Sequence, residues 1–148
     1  MDDAWLFVHL AGVLGFLAGH GVSAAVGLRL RTERGRERIK ALLDLSAGAR
    51  GFTYGSLLVL LAGGVAAGIR GHDWGQGWIW AALGLLVGLI VVTIPIAVPY
   101  YRRVRRSIDS VSDDELDALL ASPRPIVLAV LGTAVILAIL WLMVFKPF

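Results

Sequence analysis

The chain has 148 residues, 57% of them hydrophobic, with a mean hydropathy of +0.77 and a formal net charge of +3. Soluble domains are about 45–50% apolar, and the excess here is gathered into long uncharged runs, the pattern of a membrane protein of one domain rather than of a larger soluble core. The absence of cysteine excludes disulfides, cysteine-based metal sites and thiol redox chemistry, and no module combining aromatic and basic residues supports nucleic-acid binding.

The first charge-free window runs from Ala4 to Leu28, between Asp3 and Arg29. It is long enough to cross a bilayer with some tilt. Its start is acidic and its apolar run is too long for a cleaved signal peptide, so it reads as a retained first helix. The second window, Gly51 to Ile69, lies between Arg50 and Arg70, and the third, Trp74 to Tyr101, between Asp73 and Arg102. The fourth, Pro125 to Phe145, lies between Arg124 and Lys146. None alternates like a barrel strand, and backbone hydrogen-bond satisfaction in lipid then makes each a helix. The expectation is an all-α, polytopic four-helix transmembrane bundle, residues 1–148 forming one domain. Its spans are near 4–28, 51–69, 75–101 and 125–145, joined by cytoplasmic loops 29–50 and 102–124.

Orientation follows from charge. Arg29, Arg31, Arg34, Arg36, Arg38, Lys40 and Arg50 lie in the first loop, and Arg102, Arg103, Arg105, Arg106 and Arg124 in the third, leaving only Arg70 and Lys146 of the 14 basic residues elsewhere. The positive-inside rule puts these loops in the cytoplasm of a bacterial plasma membrane and both termini outside. Trp5, Trp74, Trp78, Trp80 and Trp141 then fall at the outer interface and Tyr54, Tyr100 and Tyr101 at the inner one, as headgroup-seeking residues should.

Both loops carry helical signals. Glu33 to Ala47 reads as an extension of the first helix or as a surface-lying helix. Ser112-Asp113-Asp114-Glu115 is a capping box, followed by Leu116, Leu119 and Leu120 and closed by Ser122-Pro123. A two-turn helix is expected there, acting as a solvated connector or, alternatively, as a partner-docking site.

Inside the spans, Gly15/Gly19, Gly51/Gly55, Gly64/Gly68 and Gly84/Gly88 are four-residue pairs that let backbones approach, within one bundle or in a homo-oligomer. Pro95 and Pro99 predict a kink in the third helix, with Thr93 able to cap a freed carbonyl. The ionisable candidates are His9 and His20. Eleven residues apart, they share a face with Gly12, Phe16, Ser23 and Gly27, expected to look into the bundle. They stand about 16 Å apart along the helix and cannot share one metal ion within a chain. Each is either a hydrogen-bonded structural group or a ligand completed by other helices. His72, beside Asp73, is a poor metal site on its own. Lys146 can snorkel to the interface or hold an anionic group near His9. No Walker loop, HExxH motif or nucleophile elbow is present, and no span contains Asp or Glu, so a catalytic role is not expected.

Two stretches resemble a known group. His9-Leu-Ala-Gly-Val-Leu-Gly-Phe16-Leu-Ala-Gly19 and the ending Trp141-Leu-Met-Val-Phe-Lys146-Pro147-Phe148 resemble the end motifs of a superfamily of small bacterial membrane bundles. It comprises integral membrane proteins of unknown function, CopD-like copper-resistance domains and a heme-pathway protoporphyrinogen-oxidase-like family. The layout of all four helices is most similar to the first. Resemblance to the heme-pathway family implies a heme b cofactor with His9 as axial ligand and an oxidoreductase activity, although that family's basic residue in the third helix has no counterpart between Trp74 and Tyr101. Resemblance to the copper group implies a copper-handling or permease-like protein, with His9 and His20 as the metal residues. The leading expectation is an accessory or structural membrane bundle without enzymatic activity. Its partners are the lipid bilayer and either a second copy or another membrane protein.

Overall fold

The computed structural model describes residues 3–71 and 73–148. Helix α1 spans Asp3–Leu30, α2 Arg36–Gly71, α3 Gly77–Ser107, α4 Asp113–Leu120 and α5 Arg124–Phe145, with a single 3-10 turn at Asp73–Gly75. No strand occurs among the described residues. Four helical segments are long and apolar enough to cross a membrane, one for each charge-free window, the third starting at Gly77, three residues into its window. His72 lies outside the described residues.

The spans pack in the order α2–α1–α5–α3. The pair α1 and α2 makes the most intimate contact, α3 and α5 the next, α1 and α5 join the two pairs, and α2 and α3 barely touch. Both termini therefore lie at one end of the bundle, and the connectors 31–35 and 108–123 at the other. Many large apolar side chains point outward along the spans, among them Phe7, Leu14, Leu58, Val91, Val130 and Val144. In lipid this costs nothing, because the surroundings are as apolar as a protein core.

The largest difference from the sequence reading concerns the first loop. Its helix neither extends α1 nor lies on the surface. It is the first part of α2, which runs unbroken for 36 residues, about 54 Å, from Arg36 to Gly71. No proline interrupts the stretch. The break falls instead at residues 31–35. There the Glu33 carboxylate accepts the N–H groups of Arg34 at 3.1 Å and Gly35 at 3.2 Å, in the turn that leads into the helix.

The hydrophobic core sits at the connector end. Val26 and Leu30 of α1, Ile39 and Leu43 of α2, Tyr100 and Val104 of α3, Ile108, and Leu116 and Leu120 of α4 form one buried cluster. Water is the reason. Past the hydrocarbon, apolar side chains must be covered, and α4 is the cover. The helix begins as its capping box requires, with the Ser112 hydroxyl accepting the Glu115 N–H. It is not a solvated connector, since Leu116 and Leu120 are buried in the chain's own core.

Charge pairs tie the first connector and the start of α2 to the end of α3 and the second connector. Arg36, half-buried, donates to the carbonyls of Ile108 and of Val111 (2.8 Å) and pairs with Asp113 at 2.6 Å. Arg34 pairs with Asp117 at 3.0 Å, Lys40 with Asp109 at 2.8 Å, and Arg105 with Asp44. The exposed pairs are worth at most about 1 kcal/mol each. Arg36 matters more, because it satisfies carbonyls left open past the end of α3.

Candidate functional site: a cavity between the four helices

The α1–α2 seam is set by glycine. A side-chain carbon added at Gly12 would fall on the backbone of Leu60, and one at Gly63 would come within 2.5 Å of the His9 backbone nitrogen. Gly15 lies against the Ser56 hydroxyl and Gly19 against that of Thr53. Position numbers rise along α1 as they fall along α2, so the pair is antiparallel. The four-residue spacing rule picked out Gly15 and Gly19 but passed over Gly12 and Gly63, where backbones meet most closely. The run Gly12, Gly15, Gly19 at three- and four-residue steps was the available signal. Gly64 faces the His9 ring and Gly68 the Trp74 indole, while Gly51, Gly55, Gly84 and Gly88 face open space.

His9 belongs to this seam. Its Nδ1 is 2.9 Å from the Leu60 carbonyl, which can only accept, so Nδ1 carries the proton. That carbonyl also closes the helical bond to Gly64, and the missing side chain at Gly64 is what lets the ring reach it. Nε2 is buried and has no hydrogen-bond partner among the described residues. His20 lies elsewhere, its ring against Gly132 of α5 and its Nε2 at 3.4 Å from the Thr133 hydroxyl. Among the described residues no three His, Asp or Glu side chains gather in a metal-binding group.

Pro95 and Pro99 lie inside α3, which continues through both. The Thr93 hydroxyl donates to the Leu89 carbonyl at 2.7 Å. It does not cap the Val91 carbonyl that Pro95 deprives of its donor, because a threonine side chain reaches the carbonyl four residues before itself. Lys146 adopts a left-handed conformation with φ 44° and closes α5 through its N–H to the Leu142 carbonyl. Its ammonium sits over the Trp78 ring, 5.5 Å from the ring centre. Phe148 completes the closure, accepting the Trp78 N–H at 3.2 Å and laying its ring on Gly77.

A cavity of about 190 Å³ opens between all four spans in the half nearer the connectors. Its polar lining comprises His20 and Ser23 of α1, Ser46, Arg50 and Thr53 of α2, and Thr93 of α3, with Tyr54 and Tyr101 beside them. Phe16, Leu57, Leu89 and Leu128 supply apolar wall. The described lining holds one permanent cation and no carboxylate. Gly132 makes room for His20 at one end, and Pro125, packed on Gly27, bounds the other. Sequence periodicity placed Phe16, His20 and Ser23 on one inward stripe, and all three reach the cavity; Gly12 turns to α2 and Gly27 to Pro125. The role of Arg50 was not legible, because in sequence it only marks the edge of a charge-free window.

Four apolar spanning helices around a partly polar interior define an integral membrane bundle with an internal cavity. The chain belongs to the family described as "Predicted integral membrane protein (DUF2269)", whose model matches residues 4–147. No curated protein and no solved structure matches it. The family match agrees with the resemblance to small membrane proteins of unassigned function and does not extend to the copper-resistance group.

Proposed function

We propose that this protein is an accessory bundle of the bacterial plasma membrane that holds a small ligand in its inner half, with both termini outside and both connectors in the cytoplasm. The observation that carries the reading is the cavity to which α1, α2, α3 and α5 all contribute. Binding sites between bundle helices are mostly apolar with a few placed polar groups, as here. The topology is supported by the arginines at the connector end and by the tryptophans at the other, where Trp74 and Trp80 pack at 5.7 Å and Trp141 meets Phe145.

Heme is a poorer fit. His9 has the tautomer a metal ligand needs, with Nδ1–H bound to a carbonyl and Nε2 bare. But His9 is held in the α1–α2 seam and does not line the cavity, and about 190 Å³ does not enclose a group as large as a porphyrin.

Native mass spectrometry of the purified protein tests the ligand reading. Wild type should retain a bound small molecule, and Ala97→Phe, which fills the cavity, should lose it with helix content unchanged. Wild-type protein that stays empty with every membrane extract offered overturns the proposal. The cysteine-free sequence makes topology accessible: Gly75→Cys should react with an impermeant thiol reagent from outside the cell, and Ser110→Cys only after permeabilisation.

A further inference from the structure

We propose that the cavity holds the anionic headgroup of an inner-leaflet phospholipid, with Arg50 as the residue that binds its phosphate; this rests on the ligand-holding role proposed above. Four observations converge. First, the described lining offers hydroxyls, one histidine and one guanidinium but no carboxylate, so an anion meets donors and no repulsion. Second, Arg50 makes no ion pair and no side-chain hydrogen bond among the described residues, whereas Arg34, Arg36, Lys40 and Arg105 are each committed to an aspartate. Third, Arg50 is the last charge before the uncharged window Gly51 to Ile69, which sets it at headgroup depth. Its half-buried position turns it inward to the cavity rather than outward to bulk water.

The fourth observation concerns size and access. At about 190 Å³ the cavity is too small for a whole soluble metabolite of ordinary size but sufficient for a headgroup and the start of a chain. The apolar wall at Leu57, Leu89 and Ile94 continues from Arg50 toward the membrane interior. Of the adjacent spans around the cavity, α2 and α3 touch least, and we take the way in to lie between them. A lipid can enter there sideways, its head on Arg50 and the rest of its chains in the bilayer. A guanidinium suits this task, since its planar fork can bind two phosphate oxygens at once.

The test is lipid titration of delipidated protein in neutral detergent, read by native mass spectrometry with phosphatidylglycerol, phosphatidylcholine and inorganic phosphate as probes. Wild type should prefer phosphatidylglycerol over phosphatidylcholine by about tenfold: both carry the phosphate that meets Arg50, but the choline cation of the second cancels its net charge and is repelled by the guanidinium. Arg50→Gln should abolish that preference and Arg50→Lys should keep part of it. Arg102→Gln/Arg103→Gln, altering a separate surface groove on α3, should leave it intact. Equal binding of the two lipids, loss of preference in the surface variant, or an unaffected Arg50→Gln each overturns the inference. Inorganic phosphate that displaces the lipid at millimolar concentration also overturns it, showing a free-anion site. If both lipids bind equally and Ala97→Phe removes both, the ligand-holding role stands and only the anionic headgroup falls.

Discussion

The Nδ1–H of His9 on α1 donates to the carbonyl of Leu60 on α2, 2.9 Å away, through a gap that exists only because residue 64 is glycine. A histidine in a membrane span is commonly read as a reactive group. Here one nitrogen is spent joining two helices, and His9→Ala should lower stability by about 1–3 kcal/mol through the lost bond and the space left behind. Denaturant titration in detergent measures that loss. The heme reading makes a different demand, a Soret band in wild type that vanishes in the variant.

Glycines in the spans should respond to substitution with opposite signs. Gly12→Ala drives a carbon into the Leu60 backbone and should cost about 1–3 kcal/mol. Gly84→Ala meets open space and should gain about 0.5–1 kcal/mol, since glycine is a poor helix former. Comparing the unfolding midpoints of the two single variants checks both signs.

Leu120, fully buried under α4, should cost about 2–5 kcal/mol when changed to alanine. Ser112→Ala, which removes the cap of the same helix, should cost about 1 kcal/mol. The expected ranking, Leu120 above Ser112, is read from urea unfolding of the two variants, and reversal would show that α4 is not packed as described.

Glu33 should make stability acid-sensitive. Hydrogen bonds from the Gly35 and Arg34 N–H groups hold its carboxyl below the ordinary 4.5, with Arg38 and Arg29 adding to the effect. A lowered pKa means the folded state binds the proton less readily than the unfolded one. The stabilisation is therefore fully present above pH 4.5 and is lost as pH falls through the lowered folded value. Thermal unfolding of wild type and Glu33→Gln across that range should converge at the acid end and diverge, with wild type the more stable, above it.

Lys146→Gln should weaken the closure of the C-terminal segment on α3 by about 0.5–1 kcal/mol, the worth of an exposed cation–π contact. The tryptophan emission of a chain retaining only Trp78 should shift in the variant, and hydrogen exchange of the Trp78 amide, bonded to the Phe148 carbonyl, should quicken.

The spans were legible in the sequence because lipid imposes one condition, an uncharged run closed on its own hydrogen bonds, and runs such as Pro125 to Phe145 satisfy it without reference to any other part of the chain. The cap at Ser112 was legible for the same reason, being local. What could not be read was the partner of each face. Gly12 and Gly84 look alike in sequence, yet one meets a backbone and the other nothing. Leu116 and Leu120 announced an apolar stripe without saying that Ile39 and Val104 would receive it. Glu33 was hidden among charges, and its burial follows only from where the chain turns.

The unbroken course of α2 makes the protein a mechanical linkage. Arg50 stands roughly 21 Å along the same rod from Arg36, at 1.5 Å per residue. Between them Ile39 and Leu43 grip the core that α4 covers, and Arg36 ties the rod to the end of α3. A stiff rod gripped at one end cannot tilt in the bilayer alone. Any tilt of the spanning half of α2 is therefore coupled to α4 and to the end of α3, which pack and pair against its other half.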